Sequence, residues 1–270
     1  ESSRMASATS SSSGDSSSRA RLAPTRSNRR LAMDRAIRGG CRRSGRRQQA
    51  THGVDHALGV GVVTSLAALA IGVYFVIVSG WQLIPLIIVA ALCLVLYTPV
   101  ILRTPWPEWS PGLGLGILPI LGLYFVQAGS YNWVVVAASV PSGILVHNLL
   151  LLNEFPDVEA DRKGGRKTTP VLFGMEAAGR LFRIATVSVY VWIGGCVLVT
   201  FLTGTVVLPA YSLIALLTLP FAMKAMKGSR EYADRDKLVP ALGSNVAFIL
   251  FTQVLLGAAF VLERLFPLHG

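Results

Sequence analysis

Four stretches of the chain carry no Asp, Glu, Lys or Arg: residues 56–102, 109–153, 184–223 and 238–262, of 47, 45, 40 and 25 residues. A helix needs about 20 apolar residues to cross a bilayer. The first three stretches therefore predict two spans each, and the last predicts one. Turn residues mark the middle of each long stretch: Ser79-Gly80-Trp81, Gly129-Ser130-Tyr131-Asn132 and Thr203-Gly204. Seven helices follow, near 57–78, 83–102, 112–128, 132–152, 181–202, 206–224 and 241–262. The fold class is all-α, a polytopic transmembrane helix bundle of about seven spans.

The placement of Lys and Arg orients these spans. The three mid-stretch turns have none, whereas the alternate loops hold Arg103, then Arg162 to Arg180, then Lys224 to Lys237. The positive-inside rule puts the charged loops in the cytoplasm and the C-terminus outside, with Arg264 the one exception. Trp81, Tyr131 and Trp133 then fall at the outer interface, and Trp106 and Trp109 at the inner one. The predicted localisation is an integral, multi-pass membrane protein with cytoplasmic charged loops.

Composition adds a second segment. The chain is 52% hydrophobic with a formal charge of +11, but residues 1–55 hold twelve Arg against four acids, so +8 of that charge lies there. This Ser- and Arg-rich tail lacks the apolar residues to bury a core and is expected to be disordered. Residues 56–270 form the membrane domain. Its lipid-soluble bulk makes the bilayer, not nucleic acid, the partner of the basic charge. The three cysteines, Cys41, Cys93 and Cys196, are too far apart for a zinc or redox motif.

The chemistry gathers at residues 153–168, where four acids and four bases crowd into sixteen positions. Asp157 and Asp161 are four apart and would share one helical face, with Asn153 extending the stripe. Two carboxylates so placed suit a hard divalent cation such as Mg²⁺, shared with a phosphate. The following bases suit the remaining phosphate oxygens. A solvated loop between two spans is the plainer reading of the same spacing. Pro156 should end the fourth span near Asn153, and Gly164-Gly165 allows Arg166 and Lys167 to fold back over the acids. Tyr97 and Arg103 close the second span and lie on the same side of the membrane. His147, Asn148, Asn245 and Gln253 lie inside spans, where helix-to-helix hydrogen bonds are the expected use. Gly112, Gly114 and Gly116 predict close helix packing. The cluster from Arg230 to Lys237 reads as a solvated loop.

The run Asn153-Glu-Phe-Pro-Asp157-Val-Glu-Ala-Asp161-Arg-Lys-Gly-Gly165-Arg-Lys-Thr168 resembles the second Asp-rich motif of the UbiA-type intramembrane prenyltransferases. Tyr97-Thr98-Pro99 with Arg103 is similar to the Tyr-containing segment after that family's fourth helix. Gly122-Leu-Tyr-Phe-Val-Gln-Ala-Gly129 resembles a segment of its quinone-synthesis branch. The likeness covers roughly residues 57–262. It implies a bundle of nine helices that transfers a prenyl chain from a prenyl diphosphate to an acceptor, often aromatic, with Mg²⁺ as cofactor. By the same resemblance Asp157 and Asp161 would be catalytic metal ligands, with Asn153, Tyr97, Arg103, Arg162, Arg166 and Lys167 binding substrate. The sequence departs from the pattern in having seven predicted spans and no Asn-Asp-x-x-Asp-x-x-x-Asp run before the first. Only Asp34 and Asp55 approach that position, without the spacing. Two further readings stay open: a truncated, inactive relative, and a small-molecule transporter. The transporter reading would require an internal repeat, and the sequence shows none.

Overall fold

The computed structural model describes residues 58–268, so the expectation for the 1–55 tail lies outside the described residues. The chain divides into two units with the boundary between Ala67 and Ala68. The boundary falls inside the first helix, α1 (Leu58–Ser79). The remaining helices belong to the second unit. They are α2 (Ile84–Tyr97), α3 (Trp109–Ala128), α4 (Trp133–Asn153), α5 (Val158–Lys163), α6 (Thr169–Phe173), α7 (Met175–Thr203), α8 (Leu219–Arg230) and α9 (Arg235–Leu265). Among the described residues there is no strand, and five helices (α1, α3, α4, α7 and α9) are long and apolar enough to cross a membrane. Such an all-helical design is what lipid demands, because a helix satisfies its own backbone groups where no water can.

The seven predicted segments all appear as helix, with two shifts. The second was expected to run to residue 102 but its α-helix stops at Tyr97, where Thr98-Pro99 enters a turn, and a separate 3₁₀ turn covers Ile101–Arg103. Proline at position 99 has no N–H to carry the helical ladder on. The sixth segment is not one α-helix. It runs as 3₁₀ helix over Ala210–Thr218 and becomes α8 only at Leu219. Pro220 lies just past the switch and cannot donate to the turn before it.

Each mid-stretch turn is closed by local chemistry. Gly129 and Gly204 cap α3 and α7 with φ of 70° and 69°, the left-handed conformation that glycine adopts without steric cost. Asn132 caps α4, its side chain accepting from the Val135 amide at 2.9 Å. At the opposite end Asp234 caps α9 by accepting from the Asp236 amide, and Lys237 pairs with Glu231 and Asp234. The 230–237 cluster is thus a helix cap with its own ion pairs, as well as a loop.

α4 is the most buried of the candidate spans and packs against α3, α7 and α9. Leu145 joins Val189, Ile193, Ala215 and Phe248 in the mid-bundle core, while Leu151, Leu152 and Phe155 join Phe182 and Leu238 nearer the charged end. The intramembrane polar residues bridge helices as expected. Asn148 donates to the Phe182 carbonyl and the Thr186 hydroxyl, Asn245 donates to the Asn148 carbonyl, and Gln253 donates to Ser142.

The α3–α4 contact is made by glycine. A Cβ on Gly116 would lie 2.6 Å from the Gly143 Cα, and one on Gly112 would lie 2.8 Å from the Gly143 carbonyl oxygen. α3 takes π-helical form over Gly112–Ile117, along this contact. Gly114 has only ordinary room, 3.5 Å from the Cys93 Cβ, so two of the three glycines carry the close approach. Gly116→Ala should therefore force the helices apart and destabilise the fold by about 1–3 kcal/mol. Gly122→Ala, which would meet nothing within 4 Å, should leave stability equal or higher. Thermal unfolding of both variants in detergent checks the pair.

Candidate active site

The charged end is built where three interhelical segments meet: residues 98–108 after α2, residues 154–157 after α4, and the segment from α5 to α6. α4 ends at Asn153, as Pro156 required, and Asp157 becomes the residue immediately before α5. The Asp157 backbone is already near-helical at this cap (φ −99°, ψ 0°), so the two motif acids lie one turn apart, as their spacing predicts, but in different surroundings. Asp157 is exposed, and Asp161 is only 5% exposed. The Asp161 amide donates to the Asp157 carbonyl at 2.8 Å, so the backbone joins them although their side chains have different surroundings.

Gly165, at φ 71°, turns the chain back over the acids. The Arg166 amide then donates to the Asp161 carbonyl at 3.0 Å, and its guanidinium Nη1 donates to Asp161 Oδ1 at 3.0 Å. A buried carboxylate needs such a charged donor to offset its lost hydration. Arg166 therefore folds back as the sequence suggested. Lys167 does so through its backbone, whose amide donates to the Leu102 carbonyl at 3.1 Å. Arg162 is held in an exposed pair with Glu159. Among the described residues the exposed side chains of Asn153, Asp157, Arg103 and Lys167 have no hydrogen-bond or ion-pair partner.

Two acids that the sequence reading passed over stand at the centre. Glu108 is fully buried, and its Oε1 accepts from the Thr169 amide at 2.9 Å. Glu154, the residue after α4, is half-buried. With both groups ionised, Glu108 Oε2 and Glu154 Oε2 would be buried without a partner. Burial, then a hydrogen bond with Glu108, then the charges of Glu108 and Asp161 push the Glu154 carboxyl up to about 10, against the opposing pull of Arg166. A proton on Glu154 supplies the missing donor. Tyr97, half-buried at the end of α2, is near enough to Glu154, Glu108, Arg166 and Asp161 for their charges to act on its hydroxyl. The one sequence signal for Glu108 was its position as the acid that opens the charge-free stretch 109–153.

Two cavities adjoin the α3–α4 contact. One, of about 340 Å³, is lined by Ala90, Cys93, Leu94 and Tyr97 of α2 with Leu115 and Leu150. It is apolar, with the tyrosine at its charged end. The other, of about 380 Å³, is lined by Trp106, Trp109, Ile144, His147 and Leu181 among others. Trp106 has φ 63°, uncommon for a residue with a side chain. Its indole Nε1 donates to His147 Nε2 at 2.8 Å, which leaves the proton of a neutral imidazole on Nδ1, 3.3 Å from Asn148 Oδ1.

The motif supplies only oxygen donors, which is what a hard cation prefers. Among the described residues no group of three or more His, Cys, Asp or Glu is gathered for a metal. Mg²⁺ commonly uses one or two carboxylates and completes its shell with water and substrate phosphate, so Asp157 and Asp161 fit that mode.

Membrane-crossing helices with this motif at one end define an intramembrane prenyltransferase class. The model of the UbiA prenyltransferase family matches residues 42–252, and the chain belongs to that family. It is 29% identical over 199 residues to 1,4-dihydroxy-2-naphthoate octaprenyltransferase of Bacillus subtilis (strain 168), covering 73% of this chain and 62% of that protein. It is 27% identical over 154 residues to 2-carboxy-1,4-naphthoquinone phytyltransferase of Synechocystis, covering 54% of this chain and 46% of that protein. A third relative, 1,4-dihydroxy-2-naphthoate octaprenyltransferase of Mycobacterium leprae, is 25% identical over 144 residues, covering 53% and 46%. The chain thus spans about half to three-fifths of the length of these relatives. No solved structure matches.

The Glu154 carboxyl has a pH consequence. Its proton is held up to about 10 in the folded chain, against an ordinary value of 4.5. Between those values the folded state binds a proton that the unfolded state has released. Its stabilising contribution is therefore full below the ordinary value and is lost as pH rises toward the folded one. Glu154→Gln keeps a neutral side chain with a donor and should flatten this fall. Melting temperature in detergent, compared at about pH 6 and about pH 9, checks it; parallel slopes for parent and variant would contradict the assignment.

Proposed function

We propose that this protein transfers a prenyl chain from a prenyl diphosphate to a lipophilic aromatic acceptor of the quinone-precursor type. The observation that carries the reading is the convergence of Tyr97, Asp161 and Arg166 at one end of a membrane-crossing bundle, in a chain of the UbiA prenyltransferase family. The names of the relatives, an octaprenyltransferase and a phytyltransferase of naphthalene-derived rings, support the acceptor class.

Asp157 and Asp161 would hold Mg²⁺, with Asn153 beside them. When bound, the ion neutralises part of the diphosphate charge and makes it a better leaving group. The chain's own residues do the rest. Arg166, Arg103, Arg162 and Lys167 bind the diphosphate oxygens, and the Tyr97 hydroxyl orients the group. The bond between the allylic carbon and oxygen breaks, and its electron pair leaves with the diphosphate. A ring carbon of the acceptor then forms the new carbon–carbon bond and releases a proton. The apolar cavity beside Tyr97 takes the chain and keeps out water, which would otherwise capture the allylic cation. Soluble diphosphates and Mg²⁺ would reach the site from the cytoplasm, the side to which the positive-inside rule assigns the charged loops.

Membranes containing the full chain should transfer label from a radiolabelled prenyl diphosphate to a dihydroxynaphthoate in the presence of Mg²⁺, and chelation should stop it. Asp157→Asn and Asp161→Asn should each lower kcat by about 100-fold, the scale seen when a preorganised electrostatic group is removed. Unchanged rates in both variants would remove the motif from the reaction.

A further inference from the structure

We propose that Glu108 is a positioning residue that latches the α5–α6 segment onto the loop ahead of α3, and so sets where Asp161, Arg166 and Lys167 stand. The inference deepens the proposed function, because the latched segment is the one assigned to the diphosphate.

The geometry supports the latch from both sides. Glu108 lies between Pro107 and the start of α3, so its backbone is held close to a helix end. Its side chain is fully buried, an expensive place for a carboxyl unless its oxygens are engaged. Oε1 takes the Thr169 amide, the first N–H of α6 and one that has no partner within its own helix. The Glu108 carboxyl also interacts with that of Glu154, the residue after α4. One side chain therefore joins α3, α4 and α6. Among the described residues the one backbone hydrogen bond between the two loops is the neighbouring one, from the Lys167 amide to the Leu102 carbonyl. Between Asp161 and Thr169 the chain includes Gly164-Gly165, with exposed Arg162, Lys163, Arg166 and Lys167. Besides the latch, this stretch is held by the Lys167 to Leu102 bond and by the contacts of Arg166 with Asp161.

Those four bases make the segment its own reporter, because trypsin cuts after each. The full chain in lipid nanodiscs, digested briefly with trypsin, compares cleavage at 162–167 with cleavage at the 224–237 bases as internal control. Glu108→Ala should speed cleavage at 162–167 by about ten-fold, the size expected for losing a buried hydrogen-bond pair, and leave the control unchanged. Glu108→Gln should stay within about two-fold of the parent, since its carbonyl accepts from Thr169 and its amide donates to Glu154. Thr169→Pro removes the donor alone. Proline is favoured at the first helical position, and Thr168 already has the extended backbone (φ −65°, ψ 158°) that precedes proline. It should fall between the two Glu108 variants, and it decides the matter if Glu108→Ala does not fold. Glu108→Gln cleaving as fast as Glu108→Ala overturns the latch, as does Thr169→Pro cleaving like the parent or accelerating equally at both regions.

Where transfer activity is measured, Glu108→Ala should raise the KM for prenyl diphosphate by about ten-fold while the acceptor KM stays put, and Glu108→Gln should restore most of the loss. The cleavage result stands without any turnover. A chain that latches but does not transfer would therefore refute the proposed function and leave the latch intact.

Discussion

Two amide hydrogen bonds, Lys167 to the Leu102 carbonyl and Thr169 to the Glu108 carboxylate, hold the charged end together. They connect segments more than sixty residues apart in sequence, at the place where the helices have ended and no ladder continues. Within the spans, each backbone group is satisfied by its own helix, and side-chain packing decides which helices meet. Beyond the helix ends those groups must find partners elsewhere. The chain solves this by letting one loop serve as acceptor for the other, which brings Tyr97 and Asp161 to the same place.

The spans were legible because charge exclusion over forty residues is a strong signal, and lipid tolerates few alternatives to helix. The end of α4 was equally plain, since Pro156 removes a donor at a known position. Glu108 was not legible. A single acid next to a charge-free stretch looks like an interfacial residue, and only the fold shows that it is buried and answers the Thr169 amide. The 3₁₀ half of the sixth segment also escaped, because apolar composition over 210–223 suits either helix and Pro220 alone marks the change. The shortened α2 belongs to the same class: Pro99 was visible, but the charge-free stretch continued past it.

The i, i+4 spacing of Asp157 and Asp161 gave the right neighbours and the wrong surroundings. The rule sets which side of a helix two residues take and not how deeply each is buried. Here α5 begins between them, so Asp157 stays at the cap in water while Asp161 turns inward to Arg166. An exposed carboxylate and a buried, arginine-bound one answer an approaching cation differently. The first is available at once, whereas the second must share its charge with a guanidinium already in place.

Charge balance at this end favours an anionic visitor over a stray cation. If Glu154 and Glu108 were both ionised beside Asp161, three buried or half-buried negative charges would face the single guanidinium of Arg166. The proton held by Glu154 cancels one of them, and Arg166 cancels another. What remains around this nearly neutral knot is a rim of exposed bases, with Arg103 and Lys167 lacking carboxylate partners among the described residues. Asp161 and Glu154 are thus compensated before any ligand arrives, whereas Asp157 among the acids and Arg103 and Lys167 among the bases are not. An ordinary solvated loop has no reason to bury Glu108 and Asp161 while Arg103 and Lys167 stand free. The segment that the proposed function assigns to a multiply charged phosphate would have that reason, and the neutral Glu154 carboxyl would offset part of the cost.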